Sequence, residues 1–264
     1  MRSTQRDGGP TSVIGRAFGL LAAFRPTDGA LSLSELARRT GLSKATVHRL
    51  VHQMAEQGAV EISAEGVRVG TRLFELGQLA ARPRSLRDAA APHLADLREA
   101  TGETVHLAVS DGAEVLYVQK LESRRVPDVD SRVGGRMPLY CTAVGKVLLA
   151  HAPADVVREV LAGPLERRTP RTVVAPGLLE RELARIRETG VGEEREESTV
   201  GVACVASPVF ATSGKVVAAV SITGRSTRVD PSRLAPAVRT AALGISRSLR
   251  SAGWLPEDVR SRPG

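Results

Sequence analysis

Residues 31–60, LSLSELARRTGLSKATVHRLVHQMAEQGAV, carry the spacing most directly convertible into chemistry. Val47, Leu50, Val51 and Met54 recur at i, i+3, i+4 and i+7, one stripe of a helix. The opposite face then presents Lys44, Ala45, His48, Arg49 and His52, with Ser43 and Thr46 near its N-terminal end. This array suits the major groove of double-stranded DNA. Helix N-terminal amides and Lys44 can meet phosphates, while Thr46, His48 and Arg49 can reach base edges. Upstream, Ser32-Leu33-Ser34-Glu35 has capping-box form and opens a shorter helix, and Gly41-Leu42-Ser43 makes a tight turn. Two β-prone pieces, residues 59–62 and 67–69, follow Gly58 as a hairpin. With Arg68 and Arg72 they form a wing against the DNA backbone or minor groove. The competing reading is a structural helix pair with a solvated basic face. The short glycine turn, the small Ala37 and the wing together favour DNA.

Other reactive side chains are harder to place. Cys141, His106 and His151 have no common metal-ligand spacing. Lys146 is a conceivable nucleophile, but no acid–base partner is set beside it by sequence. Cys204, in an apolar stretch, reads as a small core residue. Ser221 and Thr223, two apart in a strand, share one side of it and are less easily dismissed. The acidic pairs Glu193-Glu194 and Glu196-Glu197 read as solvated, apart from Glu194. No cofactor is implied.

These residues must be held by elements that the sequence outlines. Residues 1–11 read as a polar tail and 12–24 as a helix. Helices are expected over 71–81 and 86–100, separated by Arg82-Pro83-Arg84. A hairpin follows, 103–109 and 114–121 around Asp111-Gly112, then helices over 142–151, 153–161 and 176–188. Strands over 202–210 and 216–223 precede a long helix over 231–252. Helices and strands interleave, so the second part is an α/β or α+β domain.

Composition narrows the choices. Of 264 residues, 42% are hydrophobic but only 3% aromatic, so cores must be Leu, Val and Ala, and a surface built to stack many bases or sugars is excluded. No apolar run is long enough to span a membrane, and the N-terminus lacks the pattern of a secretory signal, so a soluble cytoplasmic protein is expected. The net charge of +8 favours a polyanionic partner. Only Lys44, Lys120, Lys146 and Lys215 of the 37 basic residues are lysine, a bias that a GC-rich genome also produces.

The order of motifs resembles the IclR family of bacterial transcriptional regulators. The resemblance spans about residues 11–252 and rests on 33–60, VGTRLFELG (69–77), TGETVHLAVSDG (101–112), GGRMPLYCTAVGKVLLA (134–150), GVGEEREESTVGVACVASPVF (190–210) and VVAAVSITG (216–224). It implies an α+β chain: a winged helix-turn-helix over 12–72, linker helices over 73–101 and a GAF-like effector-binding domain over 102–252, with a tail over 253–264. It also implies an effector pocket. There, amides of Ala143 and Val144 at a helix start would hold a carboxylate, Glu194, Cys204, Ser221 and Thr223 would form the polar side, and Val126, Val129, Met137 and Val202 the apolar wall. Glu194 and Thr223 stand at positions that vary in the family, which leaves the ligand open. A homodimer, with dimers paired into a tetramer, follows from the same resemblance.

The resulting expectation is a ligand-responsive, sequence-specific regulator that reads a palindromic operator and takes a small organic acid as effector. Two alternatives stand beside it: a GAF-like enzyme using Cys204 or Lys146 that keeps a helix-turn-helix for assembly, and a nonspecific DNA-compacting protein. The first lacks a nucleophile–base–orienter set, and the second leaves the C-terminal domain unexplained.

Overall fold

Ser12, Ser32 and Ser43 each accept the backbone N–H of the residue three positions on, at 2.9, 3.1 and 3.2 Å, and each opens a helix. These helices are α1 (Val13–Ala22), α2 (Leu33–Thr40) and α3 (Lys44–Glu56). The computed structural model describes residues 12–123 and 131–253, with only the backbone at 81–84. The expected tails, apart from Gly253, and the wall residues Val126 and Val129 lie outside the described residues.

The chain divides into two units between Ala81 and Arg82. In the first unit, α3 runs into the hairpin β1 (Val60–Ser63) and β2 (Gly66–Val69), followed by α4 (Thr71–Gln78). Leu31 pairs with Val67 at the edge of this hairpin. The core joins Leu20 of α1, Leu36 of α2, the Val47, Leu50 and Val51 stripe of α3, and Val60 and Val67 of the wing. Each such fully buried side chain contributes about 1.5–3 kcal/mol. The capping box is only half formed: Ser32 caps, but the Glu35 carboxylate turns to Arg38 and Arg39 instead of back to the Ser32 amide.

The second unit opens with α5 (Ala81–Thr101) and continues with β3 (Thr104–Asp111), β4 (Glu114–Leu121), β5 (Arg136–Pro138), α6 (Ala143–Ala150), α7 (Ala154–Ala162) and α8 (Pro176–Thr189). It closes with β6 (Gly192–Arg195), β7 (Val202–Phe210), β8 (Val216–Arg225) and α9 (Pro231–Ser251). The sheet is antiparallel, in the order β5-β4-β3-β8-β7-β6. One face sends Val105, Leu107, Val205, Val220 and Ile222 against Leu94 of α5 and Ile245 and Leu249 of α9. The other sends Ala108, Tyr117, Cys204, Ala206 and Ala219 against α6 and α8, through Val144, Val147, Leu179 and Leu183. Both faces of the sheet are covered. That is why β7 and β8 are apolar runs without strict alternation. The class is α+β, a winged helix-turn-helix followed by a GAF-like domain.

Three features depart from the sequence expectation. The helix break falls at Leu79-Ala80, not at Arg82-Pro83-Arg84. Pro83 enters the first turn of α5, where a missing N–H costs no hydrogen bond. Two further strands, β5 and β6, complete the sheet at its edges.

Candidate functional site

In the first unit, Gly41 ends α2 in the left-handed conformation at φ 71°, its N–H on the Ala37 carbonyl at 2.9 Å, and Ser43 then starts α3. The turn presents the outer face of α3, where Lys44, His48, Arg49 and His52 are exposed. Thr46 is half-buried, and its hydroxyl lies 2.9 Å from that of Ser43, so these two serve the helix start as well as any partner. The cations of α2 are already committed: Arg39 binds Asp28 at 2.5 Å and Arg38 binds Glu35 at 2.6 Å. Lys44 and Arg49 have no ion pair among the described residues. The hydrogen bonds from Arg38 and then Arg39 hold the Glu35 carboxyl down at about 2. On the wing, Arg68 pairs with Glu65; Arg72 falls just beyond it, in the first turn of α4, and pairs with Glu75 at 2.7 Å. Both pairs are exposed, so they are weak and open to exchange.

In the second unit, the strand register gathers the polar residues. Glu194 stands opposite Cys204, Cys204 opposite Thr223 and Thr223 opposite Thr104, one row across four strands. The next row runs Gly192, Ala206, Ser221, His106. Above them sits the start of α6. Thr142 caps it, accepting the Gly145 N–H at 3.1 Å. A Cβ on Gly145 would meet the Leu139 carbonyl oxygen at 2.3 Å, so only glycine lets the first turn lie this close to the preceding chain.

Between helix start and sheet lies a narrow cavity of about 20 Å³, room for one water by volume. Of the sequence-derived residues, Met137, Ala143, Val144, Glu194, Val202, Cys204 and Thr223 line it. Ser221 does not. It sits one row deeper, 1% exposed, and its hydroxyl has no hydrogen-bond partner among the described residues. Residues that sequence reasoning missed complete the lining: His106, Tyr117, Ser131, Thr142, Ser198 and Thr199. A larger hollow, about 620 Å³, faces open solvent against Arg98, Lys120 and Arg132.

Burial sets the protonation states. His106 bonds Ser131 at 2.8 Å and Thr223 at 3.3 Å, and desolvation followed by the Lys120 charge lowers its pKa to about 3, leaving a neutral ring. Its ring packs 5.1 Å from Tyr117, whose phenol is pushed up by burial. Glu194 Oε1 accepts the amides of Glu197 and Ser198, at 2.7 and 3.0 Å, while Oε2 accepts no hydrogen bond among the described residues. Desolvation outweighs those amides and raises Glu194 to about 7. The first turn of α6 thus faces, across the cavity, a carboxyl that titrates near neutrality.

The two suspected nucleophiles are unsuited to that role. Cys204 accepts a hydrogen bond from Thr223 at 3.0 Å, and burial lifts its thiol to about 12, far from a thiolate. The Lys146 amine, 1% exposed, lies 2.6 Å from Glu197 and 2.8 Å from Glu182. Burial opposes its charge, but the two carboxylates prevail and raise its pKa. The reading of Glu197 as solvated is therefore corrected: it is 7% exposed and clamps α6 to the turn after β6. Among the described residues no group of three or more His, Cys, Asp or Glu could hold a metal ion, and no helix is long and apolar enough to cross a membrane.

Comparison with known proteins agrees with both units. Residues 13–62 match the model of the IclR helix-turn-helix domain, and residues 78–247 that of the bacterial transcriptional regulator IclR C-terminal domain. The transcriptional regulator KdgR of Escherichia coli K12 is 36% identical over 94% of this chain and 97% of its own length. XynR, a transcriptional regulator of the same strain, is 33% identical over 89% and 96%. An IclR homolog from Microbacterium hydrocarbonoxydans, solved with 4-hydroxybenzoate, superposes with a TM-score of 0.85 at 32% identity, covering 91% of this chain and 100% of that one. The Thermotoga maritima IclR superposes at 0.74 with 34% identity, over 89% and 98%. These relatives are named as transcriptional regulators, and the catalytic alternative finds no support among them. The two family matches, one to each unit, place the chain in the IclR family of DNA-binding transcriptional regulators.

Proposed function

We propose that this regulator reads a palindromic operator with α3 and responds to a small organic acid held in the cavity under α6. On the DNA side, Lys44 and the cap at Ser43 meet phosphates, Thr46, His48 and Arg49 reach base edges, and Arg68 and Arg72 exchange their exposed carboxylate partners for the backbone. On the effector side, the amides of Ala143 and Val144 take the carboxylate. Glu194, Cys204 and Thr223, backed by Ser221, form the polar side, and Met137 and Val202 the apolar wall, extended by Val126 and Val129. The observation that carries the reading is the convergence of α6, β6, β7 and β8 on one cavity with a free helix start.

At about 20 Å³ that cavity must widen to admit an acid. Effector binding is therefore coupled to movement of its walls, which gives the ligand a differential affinity for two conformations, the requirement for control. A homodimer, paired into a tetramer, is supported by apolar surface in the first unit: Ile14 and Phe18 of α1, Phe74 of α4 and Leu79 at the end of α4 are 66–74% exposed. The test is calorimetric titration of the protein with a panel of small carboxylates and aromatic acids, 4-hydroxybenzoate included. A saturable acid whose affinity drops in Thr223→Val supports the site; a binder indifferent to Thr223 and Glu194 contradicts it.

A further inference from the structure

His48 and His52 occupy i and i+4 on the outer face of α3, with rings 4.4 Å apart and Nε2 atoms 3.2 Å apart. Two nitrogens bound to one metal ion at about 2.0–2.1 Å, at angles between square and tetrahedral, stand about 2.9–3.4 Å apart. The observed separation falls in that interval. The remaining histidines differ: His93 bonds Ser248 at 2.9 Å, His106 is buried and His151 is half-buried. Only the α3 pair is exposed, and without a metal its two Nε2 atoms share one hydrogen bond, which a cation would replace, with no other hydrogen-bond partner among the described residues.

We propose that His48 and His52 form a two-histidine site for a borderline first-row divalent cation, of the class of Ni²⁺, Cu²⁺ or Zn²⁺, and that a cation held there excludes DNA from α3. Imidazole is the ligand these ions favour, and the rest of the coordination sphere is open to water. The site is preformed on a helix core held by Val47, Leu50 and Val51. Lys44 and Arg49 share the exposed face and oppose a cation, while Glu56, one turn past His52, offsets them. Binding locks the imidazole nitrogen that His48 would offer a base and sets a hydrated ion where the groove floor would lie. Linkage then requires DNA to weaken the metal by the same factor. The metal site stands on geometry alone, whereas the exclusion rests on the proposed reading of α3.

The experiment uses the full chain without an affinity tag. Calorimetric titration with NiCl₂ should show one site per chain, weakened by about tenfold or more in His48→Gln and in His52→Gln, because each loses the chelate. Circular dichroism checks that both variants fold. No saturable Ni²⁺ binding, or the same affinity in both variants, overturns the site. In fluorescence anisotropy with a duplex selected by the protein from random DNA, Ni²⁺ should weaken wild-type binding several-fold and reversibly with a chelator, and leave His52→Gln unaffected. If Ni²⁺ binds yet DNA affinity does not move, the exclusion is wrong. If Arg49→Ala also leaves DNA affinity and selectivity unchanged, the failure lies in the reading of α3.

Discussion

Lys146 Nζ lies 2.6 Å from Glu197 Oε1, tying the helix whose first turn faces the cavity to the turn that follows the Glu194 strand. The Glu197 amide in turn donates to Glu194 Oε1 at 2.7 Å. One buried charge pair thus ties the first turn of α6 to the cavity carboxyl. The preceding residue, Glu196, adopts φ 60°, a strained value for a residue with a side chain, and so aims Glu197 inward.

Lys146→Met leaves the Glu197 carboxylate buried without its countercharge. The expected loss is about 3–5 kcal/mol in the stability of the second unit, since removing one partner of a buried pair costs more than the pair contributes. Denaturant unfolding checks this, and a midpoint equal to wild type would show that the pair is not essential.

If the proposed acid binds beside Glu194, its affinity should depend on pH. The folded pKa of Glu194, near 7, is raised by burial above the unfolded value of 4.5. Its contribution to folding is therefore fully present below about pH 4.5 and is lost as pH rises towards 7. Protonation also removes a negative charge from beside the bound carboxylate. The groups around it are the neutral His106, the un-ionised Tyr117 and Cys204, and the Lys146–Glu197 pair. Affinity for an anionic effector should rise several-fold from pH 8 to pH 6, and Glu194→Gln, which can still accept the two amides, should flatten the profile. A flat wild-type profile would contradict this.

Among the described residues the buried Ser221 hydroxyl has no hydrogen-bond partner. Ser221→Ala should leave the ligand-free protein as stable or up to about 1 kcal/mol more stable, because it removes an unsatisfied group. If the effector reaches this hydroxyl, as proposed, the same variant binds it more weakly. Thermal unfolding with and without effector separates the two effects.

Arg49→Ala should cost about 1–3 kcal/mol in operator binding and relax one base position, as expected for a bidentate contact to guanine. Binding measured across a set of single-base operator variants reads this directly. Unchanged selectivity at all positions would remove Arg49 from the recognition set.

The DNA-facing unit was legible because each of its cues is local. Ser32 and Ser43 cap within three residues, Gly41 marks the turn, and the α3 stripe repeats within two turns. On the cavity side, only the polar pair Ser221 and Thr223 stood out from the residues themselves, two apart in an otherwise apolar strand, while Ala143, Val144 and Glu194 came with the family resemblance. What failed depends on distant partners. Glu197 looked solvated because its countercharge is 51 positions earlier, and His106 and Tyr117 enter the cavity only through strand register. The strand Gly192–Arg195 has little β-forming sequence and exists because β7 offers it an edge. Pro83 suggested a break that the first turn of α5 absorbs.

Selection of bound duplexes from random DNA by the full chain tests the central claim most directly. The account predicts enrichment of two inverted half-sites about one helical turn apart, or a multiple of it, lost in Arg49→Ala and shifted in affinity when the effector is added. A folded protein that enriches no sequence, with or without candidate acids, would mean that the exposed face of α3 is only a solvated basic surface.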